Sequence, residues 1–142
     1  MKKLLLFNCL ILLAVSARCQ DDLRGYWSAG EGSTIVHIDG DQTGPLTGKI
    51  VWLEKPTNKK GEPVTDRLNP DKSLRNQPIM GISMLENLTY SDGAWKGKLY
   101  SPKRGRKVDA TLQLEDDNIL KLSLSYRGFS QQRKWYRTEQ PK

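Results

Sequence analysis

The sequence predicts an all-β domain, a small antiparallel barrel of about eight strands. Three observations predict it. Beyond residue 19, apolar and polar residues alternate with a period of two. Gly, Pro, Asn and Asp break that alternation at short intervals. No stretch of this region carries the spacing of a long amphipathic helix.

The strands follow in order. Gly25 to Ala29 is a short first strand. Ser33 to Ile38 is a second, ended by Asp39-Gly40-Asp41. Leu46 to Glu54 is a third, with Ile50 and Trp52 expected on one side. Residues 55–77 are long, polar and aperiodic, and such connections are usually functional or mobile. Pro78 to Tyr90 fits a strand or a helical turn, because Ile79, Ile82, Met84, Leu85 and Leu88 satisfy both patterns. Trp95 to Ser101 is a strand with Trp95, Gly97 and Leu99 on one face. Lys107 to Glu115 is the clearest strand: Val108, Ala110, Leu112 and Leu114 point one way, and Asp109, Thr111, Gln113 and Glu115 the other. After the turn Asp116-Asp117-Asn118, the residues Leu120, Leu122 and Leu124 resume the apolar face. Ser130 to Glu139 closes the chain, with Arg133, Trp135 and Arg137 on one face. Short strands of this kind close into a barrel or fold as a sandwich, and the barrel is the architecture expected.

Residues 1–19 read as an export signal, removed from a single domain spanning 20–142. Lys2 and Lys3 supply the positive start, Leu4 to Val15 an apolar run broken only by Asn8, and Ser16-Ala17-Arg18-Cys19 a cleavage region. The run is too short to cross a membrane as a helix. Cleavage is expected after Cys19, leaving Gln20 free to cyclise; a lipidated Cys19 is disfavoured because Arg18 stands where a small residue is wanted. The expected location is the periplasm or the medium. Both cysteines, Cys9 and Cys19, fall in the leader. The remaining domain therefore has neither disulfide nor thiolate chemistry, and packing must hold it together. The formal charge of +7 falls to +4 without Lys2, Lys3 and Arg18. That balance permits contact with anionic envelope components but does not require it, and no nucleic-acid module is present.

Enough residues are then in view to name a likeness. Gly25-Tyr26-Trp27, Gly48-Lys49-Ile50-Val51-Trp52-Leu53, Asp66 with Asn69-Pro70, Arg75, Pro78 and Gly81 come first in order. Trp95-Lys96-Gly97, Tyr100 with Pro102 and Gly105, and Trp135-Tyr136-Arg137 follow. In this order and spacing they resemble a family of small secreted bacterial proteins catalogued as domain of unknown function 2147. The resemblance implies secretion, a β-rich fold and importance for the loop from Asp66 to Arg75. It carries no activity. Val108 departs from the pattern, since the family tends to have an aromatic residue there. The Gly25-x-Trp27 start also looks like the opening of lipocalin-type barrels. That likeness implies a lipocalin-like barrel in which Arg137 of the last strand packs over Trp27, gaining cation–π attraction and closing one end.

The chemistry-bearing residues are few. His37 is the single histidine; between Val36 and Ile38 in a strand it reads as a satisfied strand histidine, so neither a metal site nor histidine catalysis is expected. No cofactor motif is present. Asp66, Asn69 and Arg75 bring a carboxylate, an amide and a guanidinium onto one loop. They can bind a polar ligand at a barrel mouth, or Arg75 can pair with Asp66 and pin the loop. Trp27, Trp52 and Trp95 can line an apolar cavity or fill a core. Lys103-Arg104-Gly105-Arg106-Lys107 reads as an exposed hairpin tip whose cations can also touch a membrane surface.

The function expected from these features is an exported, non-catalytic binding protein of the cell envelope. Its expected ligand is a small amphiphile or envelope component entering at the end that carries the Lys55 to Gln77 loop, with Trp27, Trp52 and Trp95 around the apolar part and Asp66, Asn69 and Arg75 at the mouth. Two alternatives stand beside it. One is an envelope interaction protein with a filled barrel, using its outer surface. The other is a hydrolase using Asp66 or Glu62 as acid or base.

Overall fold

A computed structural model of the chain describes residues 20–142. The leader and its cleavage site lie outside the described residues. Eight antiparallel strands follow in chain order: β1 (Gly25–Ala29), β2 (Thr34–Gly40), β3 (Leu46–Leu53), β4 (Ser83–Ser91), β5 (Ala94–Ser101), β6 (Arg106–Asp116), β7 (Ile119–Tyr126) and β8 (Phe129–Thr138). Each pairs with its sequence neighbours, and β1 pairs with β8 to close the barrel. Closure leaves no free sheet edge.

Alternation along each strand decides which side chains fill the barrel. Leu120 and Leu122 of β7 stand opposite Leu114 and Leu112 of β6, and Leu122 stands opposite Arg133 of β8. Leu112, Leu120, Leu122, Trp27 and Trp95 are fully buried. Register shifts interrupt four of the strand pairings, and two of these bulges explain departures from the sequence reading. Ile35 faces Trp52 while Val36 faces Ile50, so Val51 is an extra residue in β3. One extra residue reverses facing. Ile50 therefore points into the barrel, and Trp52 pairs with Ile35 on the outer wall, not beside Ile50 as expected. In β4, Glu86 faces Lys98 and Thr89 faces Lys96, with Asn87 in the left-handed region at φ 52°. This second bulge buries both Leu85 and Leu88, three residues apart. The spacing that imitates a helical turn belongs to a bent strand.

One end of the barrel is sealed. Residues 20–24 cross it. Trp27 donates its Nε1–H to the Leu23 carbonyl at 2.9 Å, and Trp95 donates to the Asp21 carbonyl at 2.8 Å. Arg137 stands directly opposite Trp27, and its guanidinium lies 4.3 Å from the indole ring centre. It also donates to the carbonyls of Asp117 (2.6 Å) and Arg24 (3.2 Å). Gly25 makes this possible: a Cβ there would sit 2.8 Å from Arg137 Nη1, and its φ of +130° is one few other residues adopt.

The long connection between β3 and β4 is organised. Asn58 Oδ1 accepts from the backbone of Lys60 and Glu62, closing a turn. Val64 N–H donates to the Pro56 carbonyl, Ile79 N–H to the Val64 carbonyl and Asp66 N–H to the Gln77 carbonyl, all within 3.0 Å. A 3-10 turn at Lys72–Leu74 is capped by Asp71. The segment is a folded strap over the outer wall.

Replacing Arg137 with Met should cost about 2–4 kcal/mol, through the lost cation–π contact and two charge-assisted hydrogen bonds. Urea unfolding followed by tryptophan fluorescence checks this. A cost below about 0.5 kcal/mol would remove Arg137 from the account of closure.

Candidate functional site

The other end of the barrel is open and leads into a cavity of about 860 Å³. Its walls come from the hairpins β1–β2, β5–β6 and β7–β8 and from the strap at Ile79. Ile50, Met84, Leu99, Val108, Leu122, Leu124 and Trp135 supply apolar surface. Ser125, Tyr126, Gln131, Arg106 and Arg133 supply polar groups. Small-molecule sites have this character: a concave, mostly apolar space of about 300–1,000 Å³ with a few polar groups.

The side chains expected to form such a site lie elsewhere. Trp27 and Trp95 are fully buried and belong to the sealed end. Trp52 lies on the outer wall because of the Val51 bulge. Of the four tryptophans, Trp135 is the one on the cavity. Asp66, Asn69 and Arg75 also lie off the cavity, for a reason set by β5. Leu99 points inward, so Tyr100 points outward. The strap lays Asp66 over it. Tyr100 Oη donates to the Asp66 carboxylate, 2.8 and 2.9 Å from its two oxygens, and Asn69 Nδ2 donates to Asp66 Oδ2 at 2.7 Å. Asp66 is 0% exposed. Arg75 takes the Asn69 carbonyl through Nε at 2.8 Å, while the Asp66 carboxylate is bound by Tyr100 and Asn69. The three residues are thus brought together as a pin that fastens the strap. In this arrangement the Asp66 carboxylate is buried with both oxygens hydrogen-bonded, while Arg75 stays exposed on the strap. Glu62 is engaged by Asn58 Nδ2 at 2.9 Å in the strap turn. His37 stacks on Tyr26, ring centres 4.3 Å apart.

The basic run divides in the same way. Lys107 points outward and binds Glu86 at 2.8 Å. Arg106, on the Val108 and Ala110 face, turns into the cavity, with its guanidinium 4.4 Å from the Tyr126 ring centre. Arg106 and Lys107 thus point to opposite sides of the sheet. Gly105 of the same run has φ +61° and lies against the Leu68 carbonyl, leaving no room for a Cβ. The hairpin tip is therefore docked on the strap. The signal for Arg106 was present in the alternation, had β6 been extended by one residue from Lys107.

Comparison with known proteins places this geometry. The family model described as "Uncharacterized protein conserved in bacteria (DUF2147)" matches residues 25–137. The chain belongs to this family. Among solved structures, a protein from the human pathogen Helicobacter pylori, described as belonging to the lipocalin family, superimposes with a TM-score of 0.67. It is 20% identical, and the match covers 83% of this chain and 84% of that one. This DUF2147 protein therefore has a lipocalin-like barrel. No curated protein matches it.

The pin has a pH signature. Burial, then the hydrogen bond from the phenol to Asp66 and the carboxylate's charge, push the Tyr100 pKa from its ordinary value near 10 up to about 12. The phenol is held neutral in the fold, so its contribution is full below pH 10 and is lost as pH rises through 12. Tyr100→Phe should cost about 1–3 kcal/mol at neutral pH and flatten the alkaline fall in stability. Chemical unfolding across this pH range tests both; an unchanged alkaline slope would contradict the assignment.

Proposed function

We propose that this DUF2147 protein is an exported, non-catalytic binding protein of the bacterial cell envelope that carries a small amphiphile inside its barrel. One observation supports the reading most: the barrel is packed at one end and hollow at the other. Trp27, Trp95, Leu112 and Leu120 fill the sealed end. The open end keeps about 860 Å³ lined by apolar wall and polar rim. A protein that used only its outer surface would gain stability by filling that space, since each unfilled volume costs packing energy. The export half of the proposal rests on the leader, with its lysines, apolar run and cleavage region.

Native mass spectrometry of protein purified without detergent from its own host's periplasm or medium should show an added mass that organic extraction removes. Val108→Trp should abolish that added mass while leaving the fold stable, because the indole occupies wall space that the valine leaves open. Bare polypeptide in every preparation, together with no binding of an apolar fluorophore that Val108→Trp reduces, would refute the carrier reading.

A further inference from the structure

The charges of the cavity are one-sided. Five cationic side chains line it: Lys103, Arg104, Arg106, Arg127 and Arg133. No aspartate or glutamate does. The outer wall shows the opposite habit. There Lys96 pairs with Asp92, Lys98 with Asp109, Lys107 with Glu86 and Lys134 with Glu115. Among the described residues, none of the five cavity cations has a carboxylate partner.

Two of the five share the cavity wall with its apolar side chains. Arg106 lies against Tyr126, and its Nε is buried without a hydrogen-bond partner. Arg133 is exposed; it lies on the same face of β8 as buried Trp135 and stands opposite Leu122. Its two terminal nitrogens are used only locally, by the Gln132 carbonyl and the Gln131 side chain. A buried donor left unmade is costly, and an incoming anion offsets that cost; Arg133, exposed on the cavity wall, adds a second cation for the same head group. A guanidinium also presents the planar fork that suits a carboxylate or phosphate. Below these heads the wall is hydrocarbon: Val108, Leu122, Leu124, Leu99 and Ile50.

We infer that the cavity selects an anionic single-chain amphiphile, its carboxylate or phosphate head paired with Arg106 and Arg133 and its tail laid on the apolar wall. The inference rests on the carrier reading and narrows its ligand by charge. It is tested by titration calorimetry of delipidated protein with four probes sharing one chain: dodecanoate, dodecyl phosphate, dodecanol and dodecyltrimethylammonium, each below its micellar concentration. Dodecanoate, dodecyl phosphate or both should bind at least about tenfold tighter than dodecanol, and the cationic probe weakest. The stronger of the two anions identifies the head group as carboxylate or phosphate. Arg106→Gln and Arg133→Gln should each lose about tenfold for the anion and leave dodecanol unchanged. Retained dodecanol binding shows that a variant is folded. Equal binding of dodecanol and both anions, or arginine variants that bind the anions normally, would overturn the charge selection while the carrier reading stands. Failure of all four probes to bind would overturn both.

Discussion

An arginine laid over an indole gives this barrel its two unlike ends. Trp27 is buried beneath the Arg137 guanidinium, and the two residues sit opposite each other in the seam between the first and last strands. The same guanidinium ties down Arg24 and Asp117, and so fixes the N-terminal segment across the opening. With that end plugged, the core can be complete around Leu23, Trp95 and Leu112 without the other end being filled. The hollow half is then free for a ligand.

The strap solves a different problem. A long connection over a barrel carries many backbone polar groups, and these must find partners. Here the partners are mostly its own carbonyls and short side chains, with Asp66 and Asn69 sunk beneath it against Tyr100. Polarity and lack of periodicity marked residues 55–77 as the place of interest. Its polar residues are spent on its own architecture, and the accessible chemistry lies in the strands behind it.

How far the sequence could be read follows from the same distinction. Regular stretches of strand were legible: β1 has the expected bounds, and the β6–β7 hairpin follows its alternation of leucines with polar residues up to the irregularity after Leu114. The family likeness and the lipocalin-like barrel were legible too, because short motifs such as Gly25-Tyr26-Trp27 and Trp135-Tyr136-Arg137 stand in a recognisable order along the chain. Trp52 was misplaced because a single inserted residue, Val51, is invisible to a period-two pattern. Pro78 to Tyr90 was ambiguous because the Asn87 bulge imposes a helical-looking spacing on the strand it contains, Ser83–Ser91. The partner of Asp66 could not be read because Tyr100 is 34 residues away and reaches it across the strap. Arg106 was hidden among like neighbours: in a run of cations only the register of the strand says which one turns inward.

The next-neighbour strand order has a consequence for how the chain finds its shape. Seven of the pairings join strands adjacent in sequence, while the seam of β1 with β8 joins residues about 110 positions apart. The longest loop is thus gathered at that seam; the β3–β4 pairing, which joins Leu46 to Leu88 across the strap, comes next, and the other six pairings form across short turns. The motif that closes the barrel lies on that seam. Its two halves, near opposite ends of the domain, serve as the clasp of a ribbon whose other joints can form without it.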